Sequence, residues 1–415
     1  MTLFDTIMDL RVSSETGLLK GVITHTPGPE VSLVSPETKD QLLFDDIIYE
    51  LDARNEHLDM LQVMRTALPE LQILEVRNLI TETLENPDAR AYLADSLVRN
   101  QRDGNLAPVR AQIAELDAQE LAAFAIEGST PSIPSVELLP TPNLLFTRDL
   151  AAIVNDVIVV SKAAKTARIR ESLMMDTVVT FHPMYEEIRK NAIFISGEDS
   201  IEGGDILVVR DDLVLIGMSE RTTFSGLMHA ARQLMDKGIN QVLIIDIPKK
   251  RSSMHLDTIF TFSNYNECVV FPPAIIDRKD NVVSLVKSNG SIITELKPNL
   301  KYALEEALGH EVTFIKCGGD DPTAQQREQW SDGANTFALA PGVIIGYERN
   351  VNTFREMEKH GYKIVAGKDF VKNYSDGSFD ISTCGKMVIT FEGHELCRGR
   401  GGARCMTQPF SRMVD

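Results

Sequence analysis

Cys405 lies in RGRGGARCMTQP near the end of the 415-residue chain, behind glycines that let backbone approach closely around an aimed side chain. Arg400 and Arg404 add local positive charge, which favours thiolate over thiol. An inert buried cysteine beside a turn is the plainer alternative, but a segment rich in glycine and arginine is poor core material. His255 and Asp257, in SSMHLDTIFTF, share one face if that segment is a strand, with Leu256 on the other. The imidazole can then transfer protons, while the carboxylate orients it or binds a cation. A purely structural His–Asp pair competes with this reading, as does a metal site completed by Glu202 or Asp205.

Glu202 and Asp205 flank the glycines of IEGGD, and Asp149 closes FTRD after Phe146. Single acidic turns are usually solvated or cap helices, and Asp205 reads as structural. Scattered carboxylates gain meaning only if they converge. A guanidinium is planar, permanently charged and carries five donors, so two or more carboxylates in its plane are its natural receptor. Phe146 can cover such a planar cation or simply sit in the core. Arg168, Arg221 and Arg400 offer forked donors to a substrate carboxylate, with Glu220 as a competing partner for Arg221. The sole tryptophan, Trp330, reads as buried support, and Cys268 and Cys317 as packing residues.

The elements that must position these groups are mostly short strands. LLKGVITHT reads as a strand ending at Pro27-Gly28, and residues 51–69 as a helix carrying Leu58, Met60, Leu61, Met64 and Leu68. Residues 76–130 are rich in alanine and leucine, read as helical throughout, and form an inserted unit. The proline-rich STPSIPSVELLPTPN leads back to the main body. Hairpins are expected in IVNDVIVV, in DILVVRDDLVLIG and around Pro341-Gly342. QVLIIDIP and ECVVFPP supply further strands. FSGLMHAARQLMDKG reads as an amphipathic helix ending at a glycine cap, and residues 297–309 and VNTFREMEKHG as two more. Polar marks recur with the apolar strands: FTRD near residue 149, EGGD near 204, MHLD near 257, CGGDD near 319 and GRGGARC near 402. Such a coarse period with mixed elements suggests a radially repeated α/β architecture, its site where strand ends converge.

Composition narrows the classes. A chain of this length implies one large catalytic domain with an insertion, or two domains. The formal net charge of −18 opposes nonspecific binding to nucleic acid or anionic membrane and suits a small cationic substrate. No 18-residue apolar run exists, and the start, MTLFDTIMDLRVSSE, lacks a signal-peptide core. Five cysteines, an odd count without CxxC, point to free thiols in a reducing, cytoplasmic setting.

Taken in order, TPNLLFTRDL, IEGGD, IGMSERTT, MHLDTIFT, REQWSDGANT and GRGGARCM resemble the blocks of bacterial-type arginine deiminases, in the guanidine-modifying superfamily. HTPG, LLFDDI and Glu56-His57 extend the likeness to nearly the whole chain. The resemblance implies a five-bladed α/β propeller over residues 1–75 and 131–415, with 76–130 as a small helical insertion domain. It implies hydrolysis of free L-arginine to citrulline and ammonia without cofactor or metal. Cys405 resembles the nucleophile and His255 the proton-transfer residue. Asp149 and Asp257 resemble the carboxylates that grip the guanidinium, with Glu202 behind them. Asn143, Arg168, Arg221 and Arg400 match groups that bind the amino-acid end, although Arg170 competes with Arg168. Thr26 stands where the family has arginine, and Arg404 where members differ. Rival readings are a hydrolase of agmatine or methylated arginine, an amidinotransferase, a metal-dependent hydrolase and a noncatalytic arginine sensor. The expected partner is the small-molecule substrate, with assembly into a homo-oligomer left open.

Overall fold

Four apolar hairpins, and one antiparallel pair formed by the two ends of the chain, each acquire a third strand in the same way. In the computed structural model, which describes residues 9–100 and 105–413, Ala151–Val154 pairs antiparallel with Val157–Val160, which pairs parallel with Ile193–Phe194. Ile206–Arg210 and Leu213–Met218 repeat this with Gln241–Asp246, and Phe260–Asn264 and Glu267–Val270 with Thr313–Lys316. Phe337–Ala340 and Val343–Tyr347 do so with Met387–Phe391. The last set joins the two ends of the chain: Gln408–Arg412 lies antiparallel to Leu19–Thr24, which pairs parallel with Gln72–Glu75. Two sheets are widened, one by the hairpin Val282–Ser288 and Ser291–Lys297, the other by Lys363–Ala366. Parallel third strands need crossover segments, which helices such as Ile169–Phe181 and Phe224–Asp236 supply.

The helices start and stop where their sequences dictate. Thr223 caps Phe224–Asp236 by accepting from the Gly226 amide, and Gly309, left-handed at φ 75°, closes Leu300–Leu308. Between residues 76 and 127 the described chain carries only helices: Val76–Leu84, Pro87–Arg99, Arg110–Glu115 and Ala118–Glu127, with one short 3-10 turn. Asn86 and Asp117 cap two of them. Their buried leucines share one apolar cluster with Ile153 and Val178 of the sheet-bearing body. The described part of the stretch is therefore packed on that body. Residues 1–8, on which the absence of a signal core was partly read, lie outside the described residues, as do 101–104 of the helical stretch.

The expected strand at His255 is a correction. His255 is extended, but Leu256–Thr258 is a 3-10 turn that runs into the strand Phe260–Asn264. The Leu256 amide donates to Asp205, and the Thr258 hydroxyl donates to the His255 carbonyl, so local bonds take the place of a ladder. The fourth polar mark also moves. CGGDD follows a third strand, whereas the turn that precedes the fourth hairpin is SDGANT at residues 331–336.

Candidate active site

The first strand of each of the five antiparallel pairs that gain a parallel third strand is preceded by a turn, and these turns carry the reactive groups: Thr147–Asp149, Gly203–Asp205 behind Glu202, Leu256–Thr258 behind His255, the turn containing Asn335, and that containing Cys405. Asp149, Glu202, His255, Asp257 and Cys405 are each at most 6% exposed. Close approach of the turns depends on Gly204, where a Cβ would lie 2.8 Å from both Asp149 Oδ1 and the His255 ring.

Because the turn rotates successive side chains, His255 and Asp257 point to different partners. His255 Nε2 is 2.7 Å from Glu202 Oε2, and its Nδ1 is 3.6 Å from Asp149 Oδ1. The Cys405 thiol lies 3.8 Å from Asp257 Oδ2, within reach to donate. Asn335, not singled out from the sequence, fixes this pair: its Oδ1 accepts from the Cys405 amide and its Nδ2 donates to the Asp257 carbonyl. It lay inside a recognised block, and only its polar type beside the turn could have marked it.

The arginines divide. Arg168 lies against the carboxylates that surround His255. Arg168 Nη1 donates to Asp149 Oδ2 at 2.5 Å and lies 3.6 Å from Glu202, while Nε pairs with Glu171 and Nη2 donates to the Asn143 carbonyl. Arg170 spends its donors on the Ala125 and Leu139 carbonyls. Asn143 donates to the Leu42 carbonyl and thus supports Arg168 through its own backbone. Arg221 pairs with Glu220 as foreseen, and also reaches within 3.6 Å of Glu202. Arg400 adopts a left-handed φ of 66°, and its guanidinium stacks 3.6 Å from the centre of the Trp330 ring while donating to the Trp330 carbonyl. Trp330 is therefore not buried support; it is 46% exposed. Phe146 packs against the Arg400 loop, so closely that a Cβ at Gly401 would lie 2.3 Å from its ring. Asp205 holds Ser219, Thr222 and the Leu256 amide, a structural role. At Thr26, the amide donates to Glu75 and the hydroxyl meets His57.

Burial opposes charge on His255, but Asp149, Glu202 and Asp205 outweigh it and hold the imidazolium up to about 9. Burial likewise works against a charged Glu202, yet Arg221, His255 and Arg168 keep its carboxyl far below the usual range. For Cys405 every large contribution points one way: burial, then Asp257, Asp149 and Asp332, push the thiol well above its ordinary value. The resting site thus holds an imidazolium–carboxylate pair beside a protonated thiol. Oxygen and nitrogen atoms of Asp149, Glu202 and His255 lie within 4.8 Å of one another, close enough to chelate. Arg168 and Arg221 crowd the same carboxylates with positive charge, a set of neighbours that suits a guanidinium receptor better than a divalent cation.

The sequence matches the family model described as arginine deiminase over residues 40–130 and 113–412. It is 33% identical over 428 residues to arginine deiminase of Listeria monocytogenes serotype 4a, covering 97% of this chain and 98% of that protein. Arginine deiminase of Bacillus cereus (strain ATCC 10987 / NRS 248) is 34% identical over 431 residues, with coverage of 97% and 98%. Among solved structures, an amidinotransferase from Microseira wollei aligns with TM-score 0.57 at 11% identity, covering 98% of this chain and 99% of that one. A dimethylarginine dimethylaminohydrolase aligns with TM-score 0.51 at 14% identity, covering 95% and 100%. These likenesses show a shared fold along nearly the whole chain.

Proposed function

This chain belongs to the arginine deiminase family and carries that family's reaction, arginine to citrulline and ammonia; we propose that Cys405 performs it through a covalent thiouronium. The observation that carries this assignment is the meeting, from turns far apart in sequence, of the Cys405 thiol with Asp257 and of His255 with Asp149 and Glu202.

Asp149 and Asp257 receive the planar guanidinium. Arg168 now occupies Asp149 Oδ2, so the substrate displaces it, and the freed fork, with Arg221, Arg400 and the Asn143 region, meets the α-carboxylate. The incoming cation offsets the carboxylates that hold the thiol protonated, and Cys405 ionises, its proton passing to solvent. The thiolate attacks the guanidinium carbon to give a tetrahedral adduct. His255, as imidazolium, gives its proton to a terminal nitrogen; the C–N bond breaks and ammonia leaves. A planar S-alkylthiouronium remains. Neutral His255 then takes a proton from water as its oxygen adds to the same carbon. Collapse of that adduct breaks the C–S bond, frees the thiolate and releases citrulline. Glu202 keeps the imidazole oriented through both proton transfers.

The five sheets with one shared pairing pattern support reading the main body as a five-bladed propeller over residues 1–75 and 131–415, closed by the strand pair from the two chain ends. Residues 76–130, whose described elements are helices, are then an insertion domain laid against it. Free cysteines at all five positions support a reducing, cytoplasmic setting. Among the described residues no helix is long and apolar enough to cross a membrane. The test is incubation with L-arginine, with citrulline and ammonia measured together, for the wild type and for Cys405→Ala. Turnover at the wild-type rate in that variant would sink the covalent scheme.

A further inference from the structure

One buried carboxylate beside the nucleophile has no place in the scheme above. Glu15, from SSETG near the start of the chain, is 9% exposed and engages Arg404 with both oxygens. Arg404 Nε donates to Glu15 Oε2 at 3.0 Å, and Nη2 donates to Oε1 at 3.1 Å. Glu15 Oε1 also accepts from the Val208 amide, and Arg404 Nη2 donates to the Ile206 carbonyl, so both side chains are tied to one strand. Only Nη1 of Arg404 is left to reach Asp257, at 2.8 Å from Oδ2. That same oxygen is 3.8 Å from Cys405 Sγ.

This line of contacts divides the charge of Arg404 unequally. A carboxylate gripped by both prongs of an arginine fork is largely neutralised and fixed, and is a poor receptor for a second guanidinium. Asp257, held by one prong, keeps Oδ1 and much of its charge for a substrate. Glu15 takes the other prong. Arg148 and Arg412 also feel Glu15, which therefore balances a cluster of three buried arginines. Resting on the assignment of Asp257 and Cys405 made above, we propose that Glu15 is a positioning residue for the reaction. By engaging the Arg404 fork it leaves Asp257 available to the arginine guanidinium and keeps Cys405 a thiol until the substrate binds.

Glu15→Gln keeps the shape and removes the charge. The unbalanced Arg404 turns its fork to Asp257, and three consequences are expected. KM for arginine rises roughly tenfold, the equivalent of one pKa unit of altered charge interaction. The turnover number changes less. The pH profile of Cys405 alkylation by iodoacetamide, measured without arginine, moves down by about one unit, because the thiolate now faces more positive charge. Asp257, Asp149 and Asp332 still face the thiol as anions, and Arg404 and Arg400 as cations, so the shift is partial. Glu15→Asp restores the charge one methylene short and should return the alkylation profile to wild type, with KM between the two. A Glu15→Gln enzyme that melts earlier but keeps both KM and the alkylation profile reduces Glu15 to scaffold and overturns the proposal. Equal shifts in both variants overturn it too, since charge would then not be the agent. If Glu15→Gln fails to fold, Glu15→Asp decides alone: a raised KM with a wild-type profile supports the proposal, and a wild-type KM overturns it. A wild-type enzyme that remains active after full alkylation of Cys405 would instead remove the nucleophile assignment.

Discussion

Asp257 and Asp149, which receive one guanidinium in the proposed reaction, are held in opposite ways. Asp257 is built into the framework: its backbone carbonyl accepts from Asn335, its side chain meets Arg404, and Arg404 is anchored by Glu15 and the Ile206 carbonyl. Asp149 is paired with Arg168, whose other donors go to Glu171 and to the Asn143 carbonyl in a 3-10 turn. One half of the site is fixed by the backbone; the other is an ion pair that a substrate can exchange. A pre-formed wall lowers the ordering cost of binding, while an exchangeable partner makes closure depend on the ligand.

The largest effect should come from the nucleophile common to both halves. Cys405→Ala is expected to lower citrulline formation by at least about a thousandfold, while isothermal titration still detects arginine, because both carboxylates remain. Loss of binding together with turnover would mean that the two halves do not assemble without the sulfur.

Next come the two arginines. Arg404→Gln strands Glu15 and Asp257 in the interior, and breaking a buried pair this way should cost about 3–5 kcal/mol of stability in denaturant unfolding. Arg168→Gln should cost less near pH 6. Burial and neighbouring carboxylates already lift Glu171 to about 7 despite Arg168, so it takes up a proton, and Glu202 retains Arg221 and His255. Equal losses would erase the distinction between the fixed and the exchangeable half.

Asp149→Asn and Asp257→Asn should both lower kcat/KM by roughly one to three orders of magnitude, since each removes a charged acceptor. Only Asp257→Asn should also lower the melting temperature by several degrees, because its partner belongs to the framework. Matching melting temperatures would count against that reading.

The smallest effect is in pH. His255 is held at about 9, and so is His25, where burial opposes charge but Glu30 and Glu75 prevail. Both lie above the unfolded value of about 6.5, so the stability they contribute is complete below that pH and is lost as pH rises through 9. A melting temperature that declines from pH 6.5 to 9, and declines less in His25→Gln, would bear this out. Below pH 6 the loss should be slower, beginning with His57, which burial lowers to about 4 and which must charge as acid is added.

Much of this was legible in the chain. Hairpins, glycine caps and the helical stretch follow from local patterns, and the types of the reactive residues from the polar turns before the strands. The pairing of His255 with Asp257 was misjudged because period-two reasoning holds in a strand, and a side chain from Asp205 had already taken the Leu256 amide that a ladder would need. The choice between Arg168 and Arg170 was out of reach: both start the same helical segment, and only the positions of Asp149 and of the Ala125 carbonyl separate them.

By itself, then, the sequence determined a cysteine behind glycines, acids and a histidine at recurrent turns, and strands to bear them, because those signals act over a few residues. Tertiary structure alone decided which of these groups face one another. Glu15 meets Arg404 because the strand Gln408–Arg412 returns to lie against Leu19–Thr24, a contact between chain ends that no local pattern encodes. That closure brings Glu15, Arg404 and Asp257 into one line of contacts, and Asp257, second to burial, pushes the Cys405 thiol up.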